Sequence, residues 1–398
     1  MSLIYADNNA TTAVAPEVLE AMTPFFQTEY FNPSSMYEPA RRTAQAITRA
    51  RAQVAAHFRL ADPKQILFTS CATESNNAAI VGTARANVSR RHIITTAVEH
   101  PAVLEVCKEM QRDGRDVTFL GVDGDGNLSI EEFVRAIRPD TGLVSIIHAN
   151  NETGVLFPIP QLARITKETD PSIVFHTDAT QSVGKIPLDL ENEYRDVDLL
   201  SFSGHKLHAP KGIGVLYVKR GTACRPLLIG GHQEEGRRAG TENTAYIVGL
   251  AKAMELAAAH YEDETTRIRE LRDRLESVLL ERIPEIRVNG RAAPRLPNTS
   301  NVSCHYVEGE ALLYQLNELG ICASSGSACT SGSLEPSHVL RAMHVPFTAA
   351  HGSVRFSFSR YNTRAEVDRV IDVFPQIVAN LRRLSPYWDQ TRDRPRES

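Results

Sequence analysis

Between about residue 60 and residue 220 the chain alternates short apolar, β-branched runs with stretches of helical spacing. This rhythm restricts the fold more than any other feature. ILFTS (66–70), HIITT (92–96), DVTFL (116–120), LVSIIH (143–148), SIVFHT (172–177), DLLSFS (198–203) and IGVLYV (213–218) read as strands. Helices between them are expected to begin near Pro101, Ser129 and Pro160. Such alternation predicts an α/β fold with a mainly parallel sheet flanked by helices on both faces. Two long helices should follow, over 244–261 and 264–282, the second with Ile268, Leu271, Leu275, Val278 and Leu279 on one apolar stripe. After Pro284 the pattern shifts to shorter strands and helices. With 398 residues the chain has room for more than one core, so a large and a small domain are expected.

The net charge of −4, with 23% charged residues, gives no reason to expect a nucleic acid or an anionic membrane as partner. No apolar run is long enough to span a bilayer and the N-terminus lacks a signal pattern, which makes the cytoplasm the expected location. The six cysteines are scattered, without CxxC, so neither a disulfide scaffold nor a zinc or iron–sulfur centre is expected. GVDGDGNLSIEEF (121–133) mimics a calcium loop, which makes a calcium-binding module the non-enzymatic alternative. However, Gly121 stands where the first carboxylate ligand belongs, and a strand precedes it instead of a helix. A turn followed by a helix capped by Ser129, with Glu132 completing a capping box, is the simpler reading.

Three segments carry chemistry. SFSGHKLHAPKG (201–212) sets Lys206 in a tight turn after an apolar strand. Alone, this reads more readily as a surface turn with a solvated lysine. HTDATQ (176–181) ends another strand on Asp178, and ILFTSCATESNN (66–77) runs from a strand into a helix whose first amides, near Ala72 and Thr73, can face an anion. An amine, a carboxylate and an anion cradle are what pyridoxal phosphate requires, and ligands of open α/β sheets bind at such strand ends.

With these residues in place, the chain resembles the class V family of fold-type I pyridoxal phosphate enzymes, and within it the cysteine desulfurases, most closely those of the nif type. The resemblance runs from YADNNATT (5–12) to LSPYW (384–388) and includes FNPSS (31–35), VEHPAV (98–103), ANNETG (149–154), GGHQEEGRRAGTEN (230–243) and SSGSACTSGSLEPSHVLRAM (324–343). It implies that Lys206 holds the cofactor and Asp178 pairs with its ring nitrogen. Gln181 and Asn151 would meet its phenolic oxygen, and His100 would stack on the ring and move protons. Ala72, Thr73, Ser203, His205 and Thr241 would hold the phosphate. Thr241 would reach the partner's cofactor, which implies a homodimer. The large domain would span 13–260 and the small α+β domain 1–12 and 261–388, with 389–398 a disordered tail.

Cys329 lies among small polar residues that cannot form a packed element, so a mobile loop carrying a functional thiol is expected. By resemblance it is the nucleophile that takes sulfur from L-cysteine, leaving alanine and a persulfide. On the alternating strand SVRFSFSR (353–360), Arg355 faces opposite Val354, Phe356 and Phe358 and offers a fork for the substrate carboxylate, as the family implies; Arg360 reads as structural. Asn32 matches a position near the substrate, and Cys71 reads as structural. The expected activity supplies sulfur to an iron–sulfur scaffold protein of the NifU kind, for nitrogenase metalloclusters. The alternatives are a housekeeping-type desulfurase, a selenocysteine lyase or a class V aminotransferase. Trp388, the sole tryptophan, is either a final packing anchor or a surface for a partner.

Overall fold

The computed structural model describes residues 3–325, 336–389 and 394–395. All seven expected strands form one sheet: β1 (Ile66–Thr69), β2 (His92–Thr96), β3 (Asp116–Leu120), β4 (Thr141–Ser145), β5 (Val174–Asp178), β6 (Leu199–Ser203) and β7 (Gly214–Val218). Their spatial order is β1-β7-β6-β5-β4-β2-β3. From β6 to β3 every pairing is parallel, whereas β7 runs antiparallel to both β6 and β1. A short connection from β6 permits only that orientation, because a parallel neighbour needs a long crossover. β1, β4, β5 and β6 are buried throughout, so neither face of these strands meets water.

The expected helices are present at Pro101–Arg112, at Ile130–Ala136, where the Ser129 hydroxyl accepts the Glu132 N–H at 3.2 Å, and at Ile159–Thr169. In the calcium-like loop, Asp123 Oδ1 accepts the N–H groups of Asp125 and Asn127 at 2.9 and 2.8 Å, so this carboxylate closes its own turn. Strand β3 precedes it, as the sequence suggested.

The second long helix is regular over Arg269–Arg282, with a wider π-helical turn before it at Glu264–Ile268. Ile268, Leu271, Leu275 and Leu279 enter an apolar cluster with Val354, Phe356 and Phe374, separate from the cluster around the main sheet. Over that second core lies an antiparallel sheet of β8 (Ile286–Val288), β9 (Thr299–Cys304) and β10 (Ser353–Ser357), ordered β10-β9-β8. Val339, Leu340 and Met343, by contrast, pack into the first cluster. Trp388 is 2% exposed, with the Arg382 guanidinium 4.3 Å from its ring centroid. It pairs, with Asp389, against Arg394–Pro395, so of its two expected roles the side chain takes that of packing anchor.

Candidate active site

The carboxyl ends of β5 and β6 and the start of the helix α1 (Ala72–Ala86) converge on a cavity of about 400 Å³. Ala72, Thr73, His100, Asn151, Asp178, Gln181, Ser203, His205, Lys206 and Arg355 all line it. These ten positions span nearly three hundred residues of sequence; nine lie at or beyond strand ends on one edge of the main sheet, and Arg355 comes to the cavity from β10 of the second sheet. Two other expected residues lie elsewhere. Asn32 is exposed and accepts the N–H of Ser34 at 2.9 Å; the fold does not bring it to this cavity. Thr241 is also exposed and outside this chain's own cavity. Cys329 lies outside the described residues.

Lys206 closes a short 3-10 turn, Gly204–Lys206, at the end of β6. A Cβ on Gly204 would stand 2.9 Å from Ile213 Cγ2 and 3.0 Å from Ala209 Cβ, so the turn is this tight only with glycine there. The Lys206 amine donates to the carbonyl oxygens of Asn9 and Ala10, both at 2.7 Å. Asp178 ends β5 and is 3% exposed. Its Oδ2 accepts from Asn76 Nδ2 at 2.7 Å and its Oδ1 from the Thr180 N–H at 2.9 Å, which fixes the plane of the carboxylate.

His100 caps the helix α2 (Pro101–Arg112): its Nδ1 accepts the Ala102 N–H at 3.1 Å, which leaves the ring proton on Nε2. Burial lowers its pKa, Asp178 opposes that and Lys206 adds to it, so the neutral ring prevails near neutral pH. His205 is pushed down to about 4, first by burial and then by Lys206 and Lys211. It stands 3.1 Å from the Thr11 hydroxyl.

Gly214, on β7, lies directly beneath the start of α1. A Cβ there would come within 2.6 Å of the Cys71 carbonyl carbon and 2.8 Å of its Cα. The close approach of β7 therefore sets where the first amides of α1 point. Arg355 is 3% exposed; its Nη1 donates to Asn151 O at 2.9 Å and its Nη2 to Asp7 Oδ1 at 2.8 Å. As the alternation predicted, Val354, Phe356 and Phe358 point into the second core instead.

The residues fit pyridoxal phosphate on grounds of their own bonding. Among the described residues, Ser203 Oγ and Arg355 Nε are buried with no hydrogen-bond partner, and both residues face the cavity. A buried polar atom without a partner costs about 1–3 kcal/mol, which a phosphate at the first atom and a carboxylate at the second would offset. Asp178 offers a carboxylate for a ring nitrogen and Lys206 an amine for an aldehyde.

Several residues at the site were not anticipated. Asn76 works one turn into a helix, where nothing in the local pattern marks it, and Asn9 acts through its backbone, so side-chain chemistry gives no signal. Glu152 lines the cavity, is pushed up to about 7 by burial, and accepts the Ser337 hydroxyl proton. Glu99, behind His100, is pushed up to about 8 by burial and accepts from Thr96 Oγ1 and the Ile147 N–H. His338 also lines the cavity, its Nε2 donating to Glu99 O at 2.9 Å.

Residues 4–370 match the family described as Aminotransferase class-V. A cysteine desulfurase of Trichormus azollae is 56% identical over 387 residues, covering 97% of this chain and 96% of the relative. The cysteine desulfurase NifS of Azotobacter vinelandii is 53% identical, over 98% and 96% of the two chains. Among solved structures, one described as a NifS-like protein superposes with a TM-score of 0.89 at 38% identity, covering 96% of this chain and all of the other. Another, described as SspA in complex with cysteine, gives 0.79 at 36% identity over 90% of this chain. The gathered lysine, carboxylate and helix terminus and these full-length likenesses agree: the chain belongs to the class-V aminotransferase family.

Proposed function

We propose that the chain is a pyridoxal phosphate-dependent cysteine desulfurase: it converts L-cysteine to L-alanine and takes the sulfur as a persulfide on Cys329. The observation that carries this reading is the single cavity shared by Lys206, Asp178 and Arg355, in a chain more than half identical to curated cysteine desulfurases. When bound, pyridoxal phosphate supplies an electron sink for bonds broken at the substrate's carbon atoms.

The protein's own groups do the rest. Lys206 would hold the cofactor through its amine, and that amine, steadied by the Asn9 and Ala10 carbonyls, would move protons at the substrate carbon. Asp178 would pair with the ring nitrogen and favour its protonated form. Ser203, His205 and the amides of Ala72 and Thr73 would hold the phosphate, and Asn151 and Gln181 would meet the phenolic oxygen. His100, neutral with its proton on Nε2, lines the cavity and would relay protons beside the bound cofactor. Arg355 receives the substrate carboxylate: its Nε–H has no protein partner, and Asn151 and Asp7 take only one proton from each Nη. Asn32 has only the resemblance behind it.

The Cys329 thiolate attacks the substrate sulfur. A sulfur–sulfur bond forms, the carbon–sulfur bond breaks, and its electron pair stays with carbon, which is then protonated. The net change is cysteine plus enzyme thiol to alanine plus enzyme persulfide. Incubation with L-cysteine and dithiothreitol tests this, with equal amounts of alanine and sulfide expected in the absence of any keto acid. Alanine that appears only with a keto acid would make the protein an aminotransferase. A far higher kcat/KM for selenocysteine would make it a selenocysteine lyase.

The same reading includes a cytoplasmic homodimer in which the exposed Thr241 reaches the partner's phosphate. It places the large domain at 13–260 and the small one at 1–12 and 261–388. A NifU-like scaffold protein accepts the sulfur for nitrogenase metalloclusters; a housekeeping desulfurase would serve a general scaffold instead. The reading includes neither a nucleic acid nor a membrane as partner. Among the described residues no helix is long and apolar enough to cross a bilayer.

Asp178→Ala is expected to lower turnover by about a hundredfold to a thousandfold, the scale of removing one preorganised electrostatic partner. The variant should also lose cofactor on dialysis; near-normal steady-state activity would show that Asp178 has a different role. Gly214→Ala is expected to displace the start of α1 and raise the cofactor dissociation constant about tenfold, since overpacking costs about 1–3 kcal/mol. Fluorescence titration of the apoenzyme would measure it, and unchanged affinity would mean the helix start does not hold the phosphate.

A further inference from the structure

Beneath Gln181 lies a lysine that the mechanism above does not use. Lys185 is 7% exposed, one helical turn beyond Gln181, and its amine donates to Gln181 O at 2.9 Å and to Gln181 Oε1 at 3.1 Å. On the other side of the amide, Gln181 Nε2 donates to Asn9 O at 3.0 Å, the same carbonyl that receives the Lys206 amine. An amine donor on one atom and a carbonyl acceptor on the other leave the amide one orientation. Turning it over would set two oxygens against each other and two N–H groups against each other. Nε2 carries a second proton, and Gln181 lines the cavity.

We propose that Lys185 is a positioning residue of the cofactor site: it locks the Gln181 amide so that Nε2, and not Oε1, faces the cofactor's phenolic oxygen. This rests on the pyridoxal phosphate reading given above. The charged and titratable groups around Lys185 are Glu264, Lys206 and Arg355, with Arg360, His208 and His260 on the same small cavity. Burial pushes Lys185 down to about 7, opposed by Glu264. Locking survives that titration, because a neutral amine still has N–H groups to donate to Oε1. Lys185 thus acts through Gln181 as a hydrogen-bond donor and is not required as a charge.

An N–H donor at the phenolic oxygen favours the form without a proton there, so losing the donor raises the pH midpoint of the cofactor's long-wavelength absorbance. The experiment titrates that band in the holoenzyme for wild type, Lys185→Met, Gln181→Leu and the double variant. Lys185→Met is expected to raise the midpoint by about one pH unit, the scale of one hydrogen bond. Gln181→Leu should raise it at least as far, and the double variant no further than Gln181→Leu alone. Additive shifts would mean that Lys185 acts by charge independently of Gln181, and an unmoved midpoint in Lys185→Met would mean no role at all; either overturns the proposal. Should Lys185→Met fail to fold, Lys185→Gln removes the charge but keeps a donor, and its midpoint should fall between wild type and Gln181→Leu. A midpoint outside that interval overturns the proposal as well. A wild-type protein with no such band refutes the cofactor reading instead, so the two failures are distinguishable.

Discussion

Lys206→Ala is expected to give a folded, colourless protein with turnover below about a thousandth of wild type. Positioned acid–base groups contribute about a hundredfold to ten thousandfold, and this variant loses the covalent anchor as well. Structural damage should be small by comparison. The Asn9 and Ala10 carbonyls lose one shared donor, a cost of about 1–3 kcal/mol where such groups are buried. Absorbance near the boundary of the visible and ultraviolet, recorded beside a thermal melt, separates the two effects. A variant that stays yellow and active after gel filtration would show that another amine holds the cofactor.

Cys329→Ala should lose as much activity for a different reason. None of the described residues that line the cavity changes, so cofactor content and the wild-type spectrum are expected to persist. Cysteine should still bind, shown by a spectral change on mixing, yet neither alanine nor a persulfide should accumulate above the buffer background. Mass spectrometry of the protein after cysteine exposure reads the persulfide directly as one added sulfur. Alanine release at a substantial rate would transfer the nucleophile's role to Cys71, which borders the cavity, before Cys322, which does not.

How far the sequence revealed this site follows from where each group acts. The central strands β2, β4, β5 and β6 were legible because a parallel strand buried on both faces is built largely of apolar and β-branched residues. Lys206 and Asp178 were legible because each interrupts such a run at its carboxyl end, where the sheet edge collects ligands. Arg355 was marked by strict alternation against Val354, Phe356 and Phe358. Asn76 was not marked, since a mid-helix asparagine gains its purpose only when β5 arrives beside α1. Asn9 and Lys185 act through a carbonyl and through a neighbour's amide, relations that exist only after folding. The π-helical turn at Glu264–Ile268 hid for another reason: one extra residue in a turn leaves the apolar spacing after it intact.

The antiparallel placement of β7 has a consequence for the order in which a newly made chain matures. β1 lies at the sheet's edge with β7 as its sole neighbour in the sheet, although β7 leaves the ribosome long after β1. Until then the edge strand has no ladder to join, and closing so long a loop is slow. The start of α1 rests on Gly214, so the phosphate cradle cannot form before the chain has been made past its midpoint. Cofactor loading is therefore expected to follow the arrival of β7, and added pyridoxal phosphate should hasten only those phases of refolding that come after β7 joins the sheet.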